Sequence, residues 1–273
     1  MVSCRLEKEK IIMIHPILSI QAHYQSFIAP RYKYTWMAHK IRKYRNAHQG
    51  EICFILGNGP SLSPVDLDKL ADKHIVTFAT NRIYNIFPHT HWRPTYYVCE
   101  DPHIIREKQA EIRSIPAKEK FIPVELKWYH DVILPGALFY HENDFPMTVN
   151  EYGFSPDIAK EIVNRGTVTF ACMEIAAYMG FSEIYLLGVD HNYQVTIDID
   201  GNVVTDPNAK DYFCEGYDDD IKHVAVHNMG QNTRAYLGAK GYCDTTGKTA
   251  IYNATRGGKL EVFDRVSFDD IVK

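Results

Sequence analysis

The residues best suited to chemistry lie in short polar turns that end apolar runs. Ile52-Cys53-Phe54-Ile55-Leu56 breaks into Gly57-Asn58-Gly59-Pro60-Ser61-Leu62. Glycines at 57 and 59 allow a tight turn and a close approach to a ligand, and the Asn58 amide between them both donates and accepts hydrogen bonds. Thr77-Phe78-Ala79 runs into Thr80-Asn81-Arg82, and Ile184-Tyr185-Leu186-Leu187 runs into Gly188-Val189-Asp190-His191. The first turn is neither the dinucleotide fingerprint GxGxxG nor a P-loop, since no Lys-Ser/Thr follows its glycines. Each turn alone reads equally well as a plain strand-to-helix connection, with asparagine tolerating an unusual backbone conformation.

The elements that must carry these turns alternate in type. Strands are predicted at about 51–56, 75–79, 95–99, 120–123, 183–188 and 249–252, with helices near 64–72, 102–113, 168–179 and 231–240. Such alternation predicts an α/β, Rossmann-like fold with a mostly parallel sheet and helices on both faces. Ser63, Pro64 and Asp66 form a start signal for the first of these helices. In a doubly wound sheet the carboxyl ends of the strands line one crevice, which brings Asn58, Asn81, Asp190 and His191 together. The stretch 192–230 is irregular and reads as a lid or substrate-binding loop. Within it, 195–204 patterns as a β-hairpin turning near Asp200-Gly201-Asn202.

The 273 residues are 45% apolar and 23% charged, ordinary globular material. A net charge of −4 argues against general nucleic-acid binding. The charge is uneven, however: Ile11 to Gly50 contains no Asp or Glu, while Arg31, Lys33, Lys40, Arg42, Lys43 and Arg45 alternate with Tyr32, Tyr34 and Trp36. Residues 1–50 are therefore read as a basic, aromatic helical extension, fitted either to an anionic membrane surface or to a solvated lead-in. The catalytic domain is assigned to 51–265. Six scattered cysteines without a CxxC read as reduced core thiols of a cytoplasmic protein. The apolar run 11–20 is too short to cross a bilayer, and no export signal accompanies it.

Taken together, Gly57-Asn58-Gly59-Pro60-Ser61-Leu62, Asn81 and the segment from Ala171 to Asp190 resemble the bacterial CMP-sialic-acid-dependent sialyltransferases of lipooligosaccharide assembly. They are equally similar to a broader group that includes the flagellin-modifying motility accessory factors and the 6-hydroxymethylpterin diphosphokinases. The ending Ile251-Tyr252-Asn253-Ala254-Thr255-Arg256-Gly257-Gly258-Lys259-Leu260 is closer to that broader group. The resemblance spans roughly residues 50 to 265.

The resemblance implies that Gly57, Asn58, Gly59, Ser61 and Asn81 contact a nucleotide-sugar and that Gly188 and Asp190 approach its cytidine. A carboxylate accepting ribose or base hydrogen bonds suits that crevice. The family's small hydroxyl pair before the long helix is Thr167-Val168-Thr169 here, so Thr167 and Thr169 take that place. A phosphate-binding tyrosine is expected two residues after the aspartate, where this chain has Asn192; Tyr193 is the substitute, with Tyr212 or Tyr217 from the next loop behind it. The family's general base is a histidine in the region that here holds His223 and His227, and the spacing back from Ile251-Tyr252 favours His227. His191 competes for that role. Histidine suits it because its ordinary pKa lies close to neutral.

Two reactions follow. One is an inverting glycosyl transfer from a CMP-activated, sialic-acid-like donor to a surface or lipid-linked glycan, with a His base. The alternative is pyrophosphate transfer from ATP to a hydroxymethylpterin, which needs Mg²⁺. Asp198-Ile199-Asp200 and Asp218-Asp219-Asp220 are the acidic runs available to a metal. A CMP-sugar carries one phosphate and needs less neutralisation than a diphosphate, so a metal-free site is expected. The partners expected are a CMP-sugar, a glycan acceptor and no nucleic acid, with peripheral contact at the inner face of the cytoplasmic membrane; a homo-oligomer stays open.

Overall fold

The structure is a computed structural model and describes residues 29–130, 132–197, 201–217 and 227–273. Its strands are β1 Ile52–Leu56, β2 Val76–Thr80, β3 Tyr96–Val98, β4 Glu119–Pro123, β5 Leu138–Tyr140, β6 Glu142–Asn143, β7 Ile162–Val163, β8 Glu183–Leu187, β9 Val195–Ile197, β10 Val203–Thr205, β11 His227–Asn228 and β12 Ala250–Asn253. Its helices are α1 Trp36–Arg42, α2 Pro64–Asp72, α3 Pro102–Glu107, α4 Gln109–Ser114, α5 Val124–Tyr129, α6 Val168–Met179, α7 Met229–Thr246 and α8 Phe268–Ile271.

Seven strands form one sheet in the order β12-β8-β1-β2-β3-β4-β5, and every pairing in it is parallel. The central strands β1, β2 and β8 are buried on both faces, as parallel strands must be when helices cover both sides. The chain steps outward from β1 through β5, then returns to the other side of β1 for β8 and β12. The reversal makes the gap between β1 and β8 a topological switch point, where ligands bind outside the strand ends in open α/β sheets. α6 is buried almost all round, its Phe170, Cys172, Met173, Ile175 and Met179 packing in one of two core clusters, and it ends at Gly180 in the left-handed conformation.

The Rossmann-like reading therefore holds. β5, α5 and the short β6–β7 pair were not anticipated, being two to six residues long and lacking a clear period. The helix expected over 102–113 is broken at Lys108 into α3 and α4. Ser63 stands at the α2 N-cap but makes no capping hydrogen bond. Asp66 is drawn instead to Arg256, at 2.8 and 3.1 Å. The hairpin arms are present as antiparallel β9 and β10, and its turn, 198–200, lies outside the described residues. Residues 29–42 lie against the sheet edge: Tyr32 is buried and donates to the Phe139 carbonyl of β5 at 2.6 Å, and Met37, Ala38 and Ile41 of α1 are buried. Asn46, His48 and Gly50 donate to carbonyls at the end of α6. Cys53, Cys99, Cys172 and Cys243 are buried thiols. No described helix is long and apolar enough to cross a membrane.

Candidate functional site

The turns after β1 and β8 interlock at the switch point. Gly57 N–H donates to the Leu187 carbonyl at 2.8 Å, and Gly59 N–H donates to the Gly188 carbonyl at 2.9 Å. A Cβ at residue 57 would lie 2.3 Å from the Gly188 carbonyl oxygen, and one at residue 59 would lie 2.0 Å from Asp190 Oδ2. Both positions therefore need glycine because of close approach. Gly188 needs it for its backbone as well, at φ +69°.

Asp190 faces the first turn. Its Oδ2 accepts from Ser61 Oγ at 2.7 Å and from Ser61 N–H at 3.3 Å, while its carbonyl accepts from Lys259 N–H at 2.7 Å. Burial raises the Asp190 pKa, and the two Ser61 donors oppose the rise. Asn58 donates through Nδ2 to the Thr80 carbonyl at 3.1 Å and to Thr80 Oγ1 at 3.3 Å, which ties the β1 turn to the end of β2. Its Oδ1 is buried without a hydrogen-bond partner. A buried, unfilled acceptor costs free energy, on the order of 1–3 kcal/mol, that a donor from a ligand would recover.

Asn81 adopts a left-handed backbone, φ 48°, a conformation asparagine tolerates better than most residues. Its Oδ1 accepts from the Cys99 thiol at 3.3 Å and its carbonyl from Tyr97 Oη at 2.8 Å, so the side chain is held by the end of β3.

The irregular segment beyond β8 folds back over these turns. Phe213 N–H donates to the Asn58 carbonyl at 3.0 Å. Arg82 N–H donates to Tyr217 Oη at 3.0 Å, and the Arg82 guanidinium lies 5.4 Å from the Tyr217 ring. Tyr217 stacks on Tyr212 at 3.8 Å, and the Tyr212 hydroxyl lies 3.4 Å from His227 Nε2. His227 in turn stacks on Tyr193, ring centres 3.6 Å apart and 15° from parallel. Parallel pairing of β11 with β9 sets that register, placing His227 opposite Thr196. Burial lowers the His227 pKa, against the opposing fields of Asp211 and Asp101, so the ring favours the neutral form that accepts a proton. Burial likewise raises the Tyr193 pKa, keeping its hydroxyl protonated.

His191 belongs to a second group. Its Nε2 lies 3.0 Å from Thr233 Oγ1, its ring is 5.7 Å from that of Tyr236, and its backbone has φ 51°. Burial lowers its pKa to about 4. The Tyr236 hydroxyl lies 3.3 Å from Thr167 Oγ1 and also bonds Thr169, so both threonines at the α6 N-terminus join this group. Asn192, half-buried, links the two groups along the chain. Gly57, Asn58, Gly59, Ser61, Asn81, Gly188, Asp190, Tyr193 and His227 thus gather at the strand ends, with Thr167, Thr169 and His191 alongside. His223 and the acidic runs Asp198/Asp200 and Asp218–Asp220 lie outside the described residues.

The sequence analysis did not single out Arg82, Asp101, Asp211 or Phe213. Asp101 had a legible signal, an Asp-Pro pair after an apolar run: it caps α3, accepting from His103 and Ile104 N–H at 2.8 and 3.1 Å. The other three act through contacts between distant segments, which local pattern does not encode.

A seven-stranded parallel sheet with its polar residues gathered at the β1/β8 switch point defines a Rossmann-like α/β protein. The chain belongs to the 6-hydroxymethylpterin diphosphokinase MptE-like family, whose sequence model matches residues 28–196. Two solved structures share the fold. One is the MAf glycosyltransferase of Magnetospirillum magneticum AMB-1, at TM-score 0.51 and 15% identity over 85% of this chain and 38% of that one. The other is the sialyltransferase CstII of Campylobacter jejuni in complex with a substrate analogue, cytidine-5'-monophosphate, at TM-score 0.50 and 17% identity over 80% of this chain and 86% of that one. The chain thus spans well under half the length of the MAf glycosyltransferase. A sequence search of curated proteins returned no match.

Proposed function

We propose that the protein is a glycosyltransferase that moves a sialic-acid-like sugar from a CMP-activated donor to a hydroxyl of a glycan acceptor, with inversion. The observation that carries this reading is His227: a half-buried imidazole favouring its neutral form, stacked on Tyr193 and beside the Tyr212 hydroxyl, on the crevice that opens at the Asn58 turn. An acceptor hydroxyl within reach of His227 would lose its proton to the ring as it attacks the anomeric carbon. The hydroxyls of Tyr193 and Tyr212 would donate to the departing phosphate as oxocarbenium character develops. Asn58 Oδ1 would accept from the donor nucleotide, and Asp190, with Ser61, would hold its ribose or base.

The CstII neighbour's complex with cytidine-5'-monophosphate supports a cytidine nucleotide at this crevice. The family match favours a second reading, pyrophosphate transfer from ATP to a hydroxymethylpterin, in which Mg²⁺ bridges the phosphates. Thermal-shift titration with CMP, CDP, UDP, GDP and ATP, each with and without Mg²⁺, separates the two. Stabilisation by CMP independent of Mg²⁺ is expected; stabilisation by Mg²⁺-ATP alone would replace the first reading with the second.

A further inference from the structure

The β5 edge of the sheet carries a surface built from two segments far apart in sequence. Trp36 of α1 lies 4.8 Å from Lys40 Nζ and 5.5 Å from Lys127 Nζ of α5, and Lys127 also lies 4.8 Å from the Phe139 ring of β5. One indole shared by ammonium groups of two helices makes α1 and α5 a single face. Tyr34, with Lys33 Nζ 5.2 Å from its ring, is 78% exposed, and Trp36 is 57% exposed. Trp128, the neighbour of Lys127 in α5, is 38% exposed.

Among the described residues the exposed charge here has one sign. Lys33, Lys40, Lys43 and Lys127 form no ion pair among the described residues, although the chain as a whole is acidic. The only carboxylate of α5, Glu125, is turned away: it holds His141 Nδ1 at 2.7 Å and the Glu142 N–H at 3.3 Å. Arg42 donates to the Lys33 carbonyl, closing residues 33–42 into a compact unit.

We infer that this face docks on an anionic phospholipid bilayer. Tryptophan and tyrosine combine an apolar ring with a polar tip and favour the headgroup layer. Lysine stems lie along apolar surface while their ammonium groups reach lipid phosphates. The acid-free sequence from residue 11 to 50 leads directly into the face. A nucleic acid is a poorer partner for a chain of net charge −4. The inference stands apart from the glycosyl-transfer reading, since it uses no residue of the crevice.

The test uses the full chain with vesicles of phosphatidylcholine alone or mixed with phosphatidylglycerol, at low salt. Trp92 is 1% exposed, so a change in tryptophan emission on binding reports on Trp36 and Trp128. Co-sedimentation and a blue shift are expected with anionic vesicles only. Each cation at an anionic leaflet is worth about fivefold in partitioning, so exchanging Lys33, Lys40, Lys43 and Lys127 for Glu should weaken it by at least about 100-fold. Trp36→Phe should remove much of the blue shift, a second check if the fourfold variant folds poorly by circular dichroism. No partitioning by the intact chain overturns the inference. So does undiminished partitioning of the folded fourfold variant, an unaltered shift in Trp36→Phe, or a lipid-free dimer in which Trp36 is already buried.

Discussion

Ser61 and Asp190 stand 129 residues apart in the chain, yet Ser61 Oγ donates to Asp190 Oδ2 at 2.7 Å and closes the turn after β1 against the turn after β8. The contact makes the switch point a single rigid unit, and it places a carboxylate where burial raises its pKa. A carboxyl whose folded pKa lies above its unfolded value of 3.8 contributes stability that is present below the unfolded pKa and lost as pH rises through the folded one. Ionised Asp190 therefore costs stability at neutral pH.

Asp190→Asn removes that cost while its amide oxygen still accepts from Ser61. Thermal melts are expected to show a higher midpoint for the variant at pH 7 and a difference that shrinks toward pH 4, with weaker nucleotide binding by calorimetry. A lower midpoint at pH 7 would mean that Asp190 is a structural anchor instead.

Gly59→Ala tests the close approach itself. The added methyl would sit 2.0 Å from Asp190 Oδ2 and 2.7 Å from the Gly188 carbonyl oxygen. Rotating Asp190 relieves only the first overlap, because the second is backbone. Urea unfolding should show a loss of about 2 kcal/mol or more, and an unchanged midpoint would contradict the interlocked turns.

Much of this arrangement is legible in sequence because apolar runs that end in polar turns encode β1, β2 and β8 locally, and the parallel topology then brings their carboxyl ends together. Asn58, Asn81 and Asp190 follow from that rule alone. The Arg82–Tyr217 and His227–Tyr193 contacts do not, because they join segments far apart in sequence, and the hairpin pattern at 195–204 says nothing of where Tyr212, Tyr217 and His227 come to lie. Asp66 shows the limit of local rules even in a regular element: a residue placed to finish a helix start is taken by Arg256 across 190 positions of sequence.

Asn58→Ala is expected to separate binding from folding. The substitution removes the unfilled Oδ1 acceptor along with two hydrogen bonds to Thr80. Affinity for CMP should fall roughly tenfold, the worth of one hydrogen bond from a buried group, with a stability loss near 1 kcal/mol. Unaltered affinity in calorimetry would remove Asn58 from the site.

His191 is expected to contribute to acid sensitivity. Its folded pKa of about 4 lies below the ordinary 6.5, so its neutral form contributes stability that is present above pH 6.5 and lost as pH falls toward 4. Asparagine accepts the left-handed backbone at this position, so His191→Asn avoids added strain. The variant should lose less stability than the parent between pH 7 and pH 4.5, by an amount on the order of 2 kcal/mol; parallel urea midpoints across that range would show that His191 titrates normally.

The sharpest expectation concerns His227, because two histidines of the described crevice compete for one role. His227 has the Tyr193 stack, the Tyr212 hydroxyl at 3.4 Å and acidic fields from Asp211 and Asp101 that partly offset its desolvation. His191 has desolvation alone, and its Nε2 is occupied by Thr233. A general base works best with a pKa near the working pH, which favours the ring whose burial is partly compensated. His227→Ala should therefore lower turnover by roughly 10²- to 10⁴-fold, with nucleotide affinity close to that of the parent. Since protonation disables a base, the parent's rate should climb with pH along a limb centred below the ordinary histidine value, and this limb should vanish in His227→Ala. Tyr212→Phe should shift that limb, since the hydroxyl beside Nε2 is lost. If His191→Ala abolishes turnover while His227→Ala keeps it, the base is His191, and the crevice of Asn58, Asn81 and Asp190 then serves a reaction whose proton leaves on the Thr233 side.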